Sequence, residues 1–398
     1  MGTPISGYGP PTTKTRAQVG DFYIDQDSQN VYKCTAVKPG STLDYGFIDI
    51  HQGHDEEYEW ETCTIAYKIK NFYNFCMDRK RLDEIQYIDT SEATDMGYMF
   101  ANVTSLVTAP ELHMSNVTKC VGMFQGCTSL KTVPYYDVSN VKDASAMFRE
   151  CSSLETIPEL YFGKLTSAGS MFRECSSLET IPELYFGKLN SAGSMFQGCS
   201  SLVSVSSINA PCVTFATGLF RDCISLTAVS TLNLPNTTHV DCMFQNCPKL
   251  TSVLDMVLGE FTTTRNMFDG CSSLVTVSDI NMYTVTSSYY VGSMFSGCEK
   301  LTTIKLHNIR ASLQIGSGTA WGHLLTVDSL VHTIQELCTV TTAQVLTMGS
   351  ANLAKIENLY CKVTDSTNEK LTMELCESTD EGAMTLAAYA AEKNWTFA

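Results

Sequence analysis

The residues of this chain best suited to chemistry stand in the stretch HQGHDEE, which holds His51, His54, Asp55 and Glu56. Imidazole and carboxylate at that spacing could hold zinc or another divalent ion. A polar loop leading into the strand-like YEW is the simpler expectation, and no metal site is assigned here. Asp25 and Asp27 have the spacing of a calcium loop, but the glycine required at the turn is missing, and a hairpin turn accounts for them. There is no G-x-S-x-G elbow, phosphate-binding glycine loop, C-x-x-C pair or H-E-x-x-H. The 7 histidines are scattered, and none stands beside a repeated Asp or Ser. The expectation is a protein without catalytic residues or a cofactor.

The 17 cysteines are the other reactive set. Cys127, Cys151, Cys175, Cys199, Cys223, Cys247 and Cys271 recur every 24 residues, and Cys298 follows after 27. That is one structural position repeated rather than a set of partners. Free cysteine buries as a small apolar residue, so a stacked ladder of reduced thiols is expected. Neighbours about 4.8 Å apart could also be bridged, which leaves a disulfide alternative open.

The same period organises the elements around those thiols. Residues 147–170 and 171–194 differ only in Thr166 becoming Asn190. Met-Phe pairs recur at Met99, Met123, Met147, Met171, Met195, Met243, Met267 and Met294, with Leu219-Phe220 in the missing slot and Phe75-Cys76 one period upstream. A unit of M-F-x-x-C-x-S-L-x-x-V/I cannot fold alone. Its six or so apolar side chains contribute about 1.5–3 kcal/mol each when buried. Ordering the unit costs about 1.5 kcal/mol per residue, so copies must stack and share one core. The period and the Leu-x-x-Val/Ile spacing predict an α/β leucine-rich-repeat solenoid. Within a rung, SLETIPEL should hold the strand, with Leu154 and Ile157 inward and Pro158 closing it. The M-F-x-x-C stretch should be a tight turn or short helix with Phe148 and Cys151 inward. Nine or ten rungs at about 4.8 Å give a slab roughly 45 Å long.

The segments MFRECSSLETIPEL and MFQGCTSLKTVPYYDVSNV resemble the BspA-like leucine-rich repeats of bacterial surface and prophage proteins. The resemblance covers about residues 75–310 and implies adhesion and ligand binding, rarely catalysis. Before it, VGDFYIDQDSQNVYKCTAV reads as a hairpin and EEYEWETC as a further strand. This part resembles the small β domains of tail-fibre and baseplate proteins of phages infecting Gram-positive hosts, which implies a mounting point after a GYGPP connector. After the repeats, TVDSLVHTIQEL has helical apolar spacing at Leu330, Ile334 and Leu337. VLTMGSANLAKI resembles a leucine-rich strand with an asparagine turn at Asn352. The final segment should be an alanine-rich helix and a short strand containing Trp395. The expected division is a small β module at 1–65, a linker and degraded first repeat at 66–98, the solenoid at 99–318, and atypical repeats with a cap at 319–398.

A formal charge of −16 argues against a nucleic-acid partner. No segment has the apolar length to span a membrane, and the N-terminus has no secretory core, so the expected place is a tail particle assembled in the host cytoplasm, with a bacterial cell surface as the alternative. Binding residues must come from outward strand-face positions, which vary while the interior stays constant. These are Lys131, Tyr135, Glu155, Thr156, Glu159, Glu179, Thr180, Glu183, Ser207, Thr231, Asp255 and Asp279. The expected partners are a host-surface glycan or protein on this face and other tail or baseplate proteins at residues 1–65. Tail-fibre analogy adds a homotrimer.

Overall fold

The computed structural model describes residues 5–7, 22–25, 31–36, 44–46, 71–78, 90–253, 255–261, 263–285, 293–315, 324–337, 344–348, 350–365 and 372–397. Isolated parallel bridges join Asn71, Asp95, Lys119, Asp143, Ser167, Ser191, Phe215 and His239 in one column. Each step is 24 residues, so the sequence period is the pitch of a parallel solenoid.

The M-F-x-x-C stretch is a run of tight turns, not a helix. In the rung that starts at Asp143, Met147 N–H donates to Ala144 O (3.1 Å), Arg149 to Ala146 (3.0 Å) and Cys151 to Phe148 (3.1 Å). Ala146 (φ 56°) and Glu150 (φ 63°) occupy the corners where a type II turn requires positive φ. Ala144, Ala146, Phe148 and Glu150 donate instead to the next rung, to carbonyls of Ser167, Gly169, Met171 and Arg173 at 2.7–3.0 Å. Turns and inter-rung ladder together satisfy the buried backbone.

Inside, the phenylalanines of successive rungs form one column. Phe100, Phe124, Phe148, Phe172, Phe196, Phe220, Phe244, Phe268 and Phe295 stack with centroids 5.3–5.6 Å apart. That spacing is wider than the roughly 4.8 Å of paired strands and falls in the offset-stacking range. Beside it runs the cysteine column, whose members are free and buried. Each thiol donates to a phenylalanine carbonyl of the preceding rung, as in Cys151 to Phe124 and Cys199 to Phe172, at 3.0 and 3.1 Å. The hydroxyls form their own ladders, with Ser176 Oγ donating to Ser152 O and Ser200 Oγ to Ser176 O, each at 3.2 Å.

Leu154 and Ile157 do point inward, but the expected strand in SLETIPEL is not continuous. Rungs with a proline there (Pro110, Pro134, Pro158, Pro182) pair only through single bridges such as Thr108–Thr132 and Thr180–Ser204 and the two-residue strand β5 (Leu184–Tyr185). Where Ser206 and Ser230 take the proline's place, full strands β6 (Ser204–Asn209) and β7 (Ala228–Leu234) form. Proline has no N–H for the ladder, so the sheet strengthens where it stops recurring. The parallel sheet continues through β8 (Ser252–Val253), β9 (Met256–Leu258), β10 (Thr276–Asn281) and β11 (Thr303–His307).

Near the N-terminus, β1 (Ile5–Gly7), β2 (Phe22–Asp25), β3 (Val31–Ala36) and β4 (Asp44–Gly46) form a four-stranded sheet in that order. Strands β2 and β3 pair antiparallel, as the hairpin expectation required. Residues 51–63, with HQGHDEE and EEYEWETC, lie outside the described residues, as does Asp27. Among the described residues the helices all follow the repeats. Helix α1 (Val327–Gln335) is capped by Thr326, whose Oγ1 accepts from Ser329 N–H, and it buries Leu330 and Ile334. Strand β13 (Gln344–Met348) pairs with β12 (Leu313–Ile315) and with β14 (Trp395–Phe397). Asn352 is buried in helix α2 (Ser350–Ile356) rather than in an asparagine turn; Ala351, Leu353 and Ala354 around it are good helix formers. Helix α3 (Leu386–Glu392) precedes β14, where buried Trp395 helps cover the core end.

Candidate recognition face

The strand side of the solenoid carries the outward residues. Lys131, Tyr135, Glu155, Thr156, Glu159, Glu179, Thr180, Glu183 and Asp255 are exposed. Ser207 and Thr231 are half-buried and are direct register partners on β6 and β7. Asp279 lies in β10, in the gap between Val277 and Ile280 where the register to β11 shifts. Lys131 Nζ is 3.5 Å from Glu155 Oε1, with side chains 58% and 57% exposed; a pair so hydrated contributes little stability.

Because Glu155 and Glu159 recur as Glu179 and Glu183 one rung later, four carboxylates face solvent on two consecutive rungs. They favour a ligand that brings cations or hydrogen-bond donors. Tyr135, 63% exposed, offers an amphipathic ring beside them in sequence. Tyr161, 64% exposed, was not among the expected contacts. Its rung position is that of Asp137 and Asn209, so the 24-residue spacing did contain its signal. Val107, Val203 and Val275 are exposed at the position of Lys131 and add apolar contact to the same stripe.

A second polar group lies where β11 meets α1: His307, in register with Asn281 of β10, with His332 and Glu336. The i, i+4 spacing of His332 and Glu336 was its legible trace; His307 comes from another element.

Rungs of one pitch, an interior of repeated Leu, Phe and Cys, and a paired strand face define a leucine-rich-repeat solenoid. Residues 192–317 match the family model described as BspA type Leucine rich repeat region, in 6 copies, and are repeats of that type. Residues 67–183 match a model described as Mycoplasma protein of unknown function, DUF285. No curated protein matches the chain. Among solved structures, a leucine rich cell surface protein from Faecalibacterium prausnitzii A2-165 is 18% identical, covering 59% of this chain and 82% of its own, with a TM-score of 0.27. The T. pallidum leucine rich repeat protein is 22% identical over 48% of this chain and 75% of its own, at a TM-score of 0.29. A leucine-rich repeat protein from Eubacterium ventriosum is 12% identical over 66% of this chain and 80% of its own, at 0.29.

Proposed function

We propose that the protein is a recognition component of a phage or prophage tail that binds a host-surface glycan or protein through the strand face. The observation that carries this reading is the division of the rungs: the interior repeats one set of residues, while the exposed strand-side positions differ along the solenoid, apart from the duplicated rungs 147–170 and 171–194. Such a surface can be specialised without disturbing the core. It presents tyrosine, threonine and carboxylate, which suit hydrogen bonding and stacking on a sugar or a polar protein surface. No chemistry on the ligand is part of the proposal.

Single contacts of this kind are weak, so several rungs, and several copies in a homotrimer, would act together. Residues 1–65 would mount the protein on its particle, in keeping with the likeness of their VGDFYID and VYKCT segments to phage mounting domains. A second reading, a bacterial surface adhesin, is favoured by the BspA-type match of residues 192–317.

The test is a quadruple variant, Glu155→Lys, Glu159→Lys, Glu179→Lys and Glu183→Lys, assayed for binding to host cells. Loss of binding at unchanged thermal stability supports the face; parental binding shows that the face is scaffold. Removal of residues 1–65 should leave cell binding intact and abolish particle attachment. Cell binding without any particle association in the full chain favours the adhesin.

A further inference from the structure

We propose that His307, His332 and Glu336 form a binding site for a zinc-type divalent cation at the seam between the last repeat strand and the first capping helix. One ligand atom from each residue lies within 4.8 Å of the other two. His307 ends β11, His332 lies on α1, and Glu336 is the C-cap residue of that helix, one turn later. His307 Nδ1 stands 3.7 Å from Glu336 Oε2. The two imidazoles meet edge to face, with centroids 5.1 Å apart.

Bond lengths of about 2.0–2.1 Å in tetrahedral geometry put ligand atoms roughly 3.3–3.5 Å apart. The His307–Glu336 separation is already close to that, and the remaining closure is within the reach of a χ adjustment. Two imidazole nitrogens and one carboxylate are the donor set of a three-ligand zinc site, with a fourth place left for water. The set is partly shielded, with the Glu336 side chain 12% exposed and that of His307 34%.

The backbone around the cluster is held independently of any ion. Asn308 N–H donates to Glu336 Oε2 at 3.2 Å, orienting the carboxylate as outer-shell donors do in metal sites. Ile309 N–H donates to Glu336 O at 2.8 Å, and Ile309 bridges Leu337 in parallel. An ion there would bolt the cap to the solenoid at its last repeat strand. Without an ion, the same residues are a polar knot in which His307 faces Glu336. The inference is independent of the ligand proposed for the strand face.

The test uses the full chain, reduced and stripped with a chelator, titrated with cobalt(II) as the probe. The expected result is uptake of one equivalent, with the visible d–d absorption of a nitrogen and oxygen site and no thiolate charge-transfer band. His332→Ala and Glu336→Gln should each weaken uptake tenfold or more, and Cys212→Ser should leave it unchanged. Zinc should raise the melting temperature of the parent and not that of Glu336→Gln. A folded parent that takes up no cobalt overturns the site. So does uptake that survives in the His307→Ala, His332→Ala double variant, or uptake accompanied by thiolate bands.

Discussion

The thiol of Cys175 donates to the backbone carbonyl of Phe148, 3.0 Å away in the preceding rung. That carbonyl also accepts the N–H of Cys151, its own rung's cysteine, at 3.1 Å. The S–H therefore fills the second lone pair of a buried carbonyl, a task that neither alanine nor valine performs. The same relation recurs at Cys127, Cys151, Cys199, Cys223, Cys247, Cys271 and Cys298, at 3.0–3.1 Å. It gives a physical reason for cysteine at this position, since a disulfide would remove the donors.

Cys175→Ala should accordingly destabilise the protein by about 1–3 kcal/mol, through the half-satisfied carbonyl and the small void left behind. Urea denaturation measures it. A cost near zero would mean that the thiol is only filler.

Thiol accessibility should split sharply. Among the described cysteines Cys212 is exposed and the ladder members are buried. Under native, reduced conditions Cys212 should react promptly with Ellman's reagent, and the ladder thiols should react only on unfolding. Mass spectrometry of alkylated peptides distinguishes them; prompt labelling of Cys151 or Cys175 would contradict the packing.

Stability should collapse at alkaline pH. Burial pushes the Cys127 thiol up to about 12, and burial also raises Cys151, Cys175, Cys199, Cys223, Cys247 and Cys298. In the unfolded chain thiols ionise near about 8.5. Above that value the unfolded chain binds fewer protons than the folded one, so this stabilisation is complete below about pH 8.5 and falls as pH rises toward the folded values. Each thiol withdraws about 1.4 kcal/mol per pH unit, so seven withdraw on the order of 10. That equals the whole stability of a typical domain. Circular dichroism should show cooperative unfolding near about pH 10, and a fold intact well above pH 11 would refute the assignment.

The left-handed corners make opposite predictions for paired substitutions. Ala146→Gly, at φ 56°, should stabilise by up to about 1 kcal/mol, since an L-residue there costs roughly 1–2 kcal/mol. Gly122→Ala, the same corner one rung earlier, should destabilise, because the new Cβ would fall 2.4 Å from the Tyr98 ring. Thermal melts of the two variants should move in opposite directions.

Much of this molecule was legible as sequence because its contacts obey the period. Residues 24 apart are stacked neighbours, so the Phe, Cys and Leu columns and the variable outward stripe follow from one repeated line. The α1 helix was also visible, since Leu330 and Ile334 mark one apolar face. Tertiary structure alone decided three things. It set how far each strand extends, because a strand exists only when both neighbouring rungs offer N–H and C=O partners, and Pro158 and its equivalents withdraw one. It placed non-glycine residues such as Glu150 in left-handed turns, because inter-rung hydrogen bonds outweigh local backbone preference. It also brought His307 to His332 and Glu336, since the contact crosses from strand to helix where the repeat ends and no spacing rule relates them.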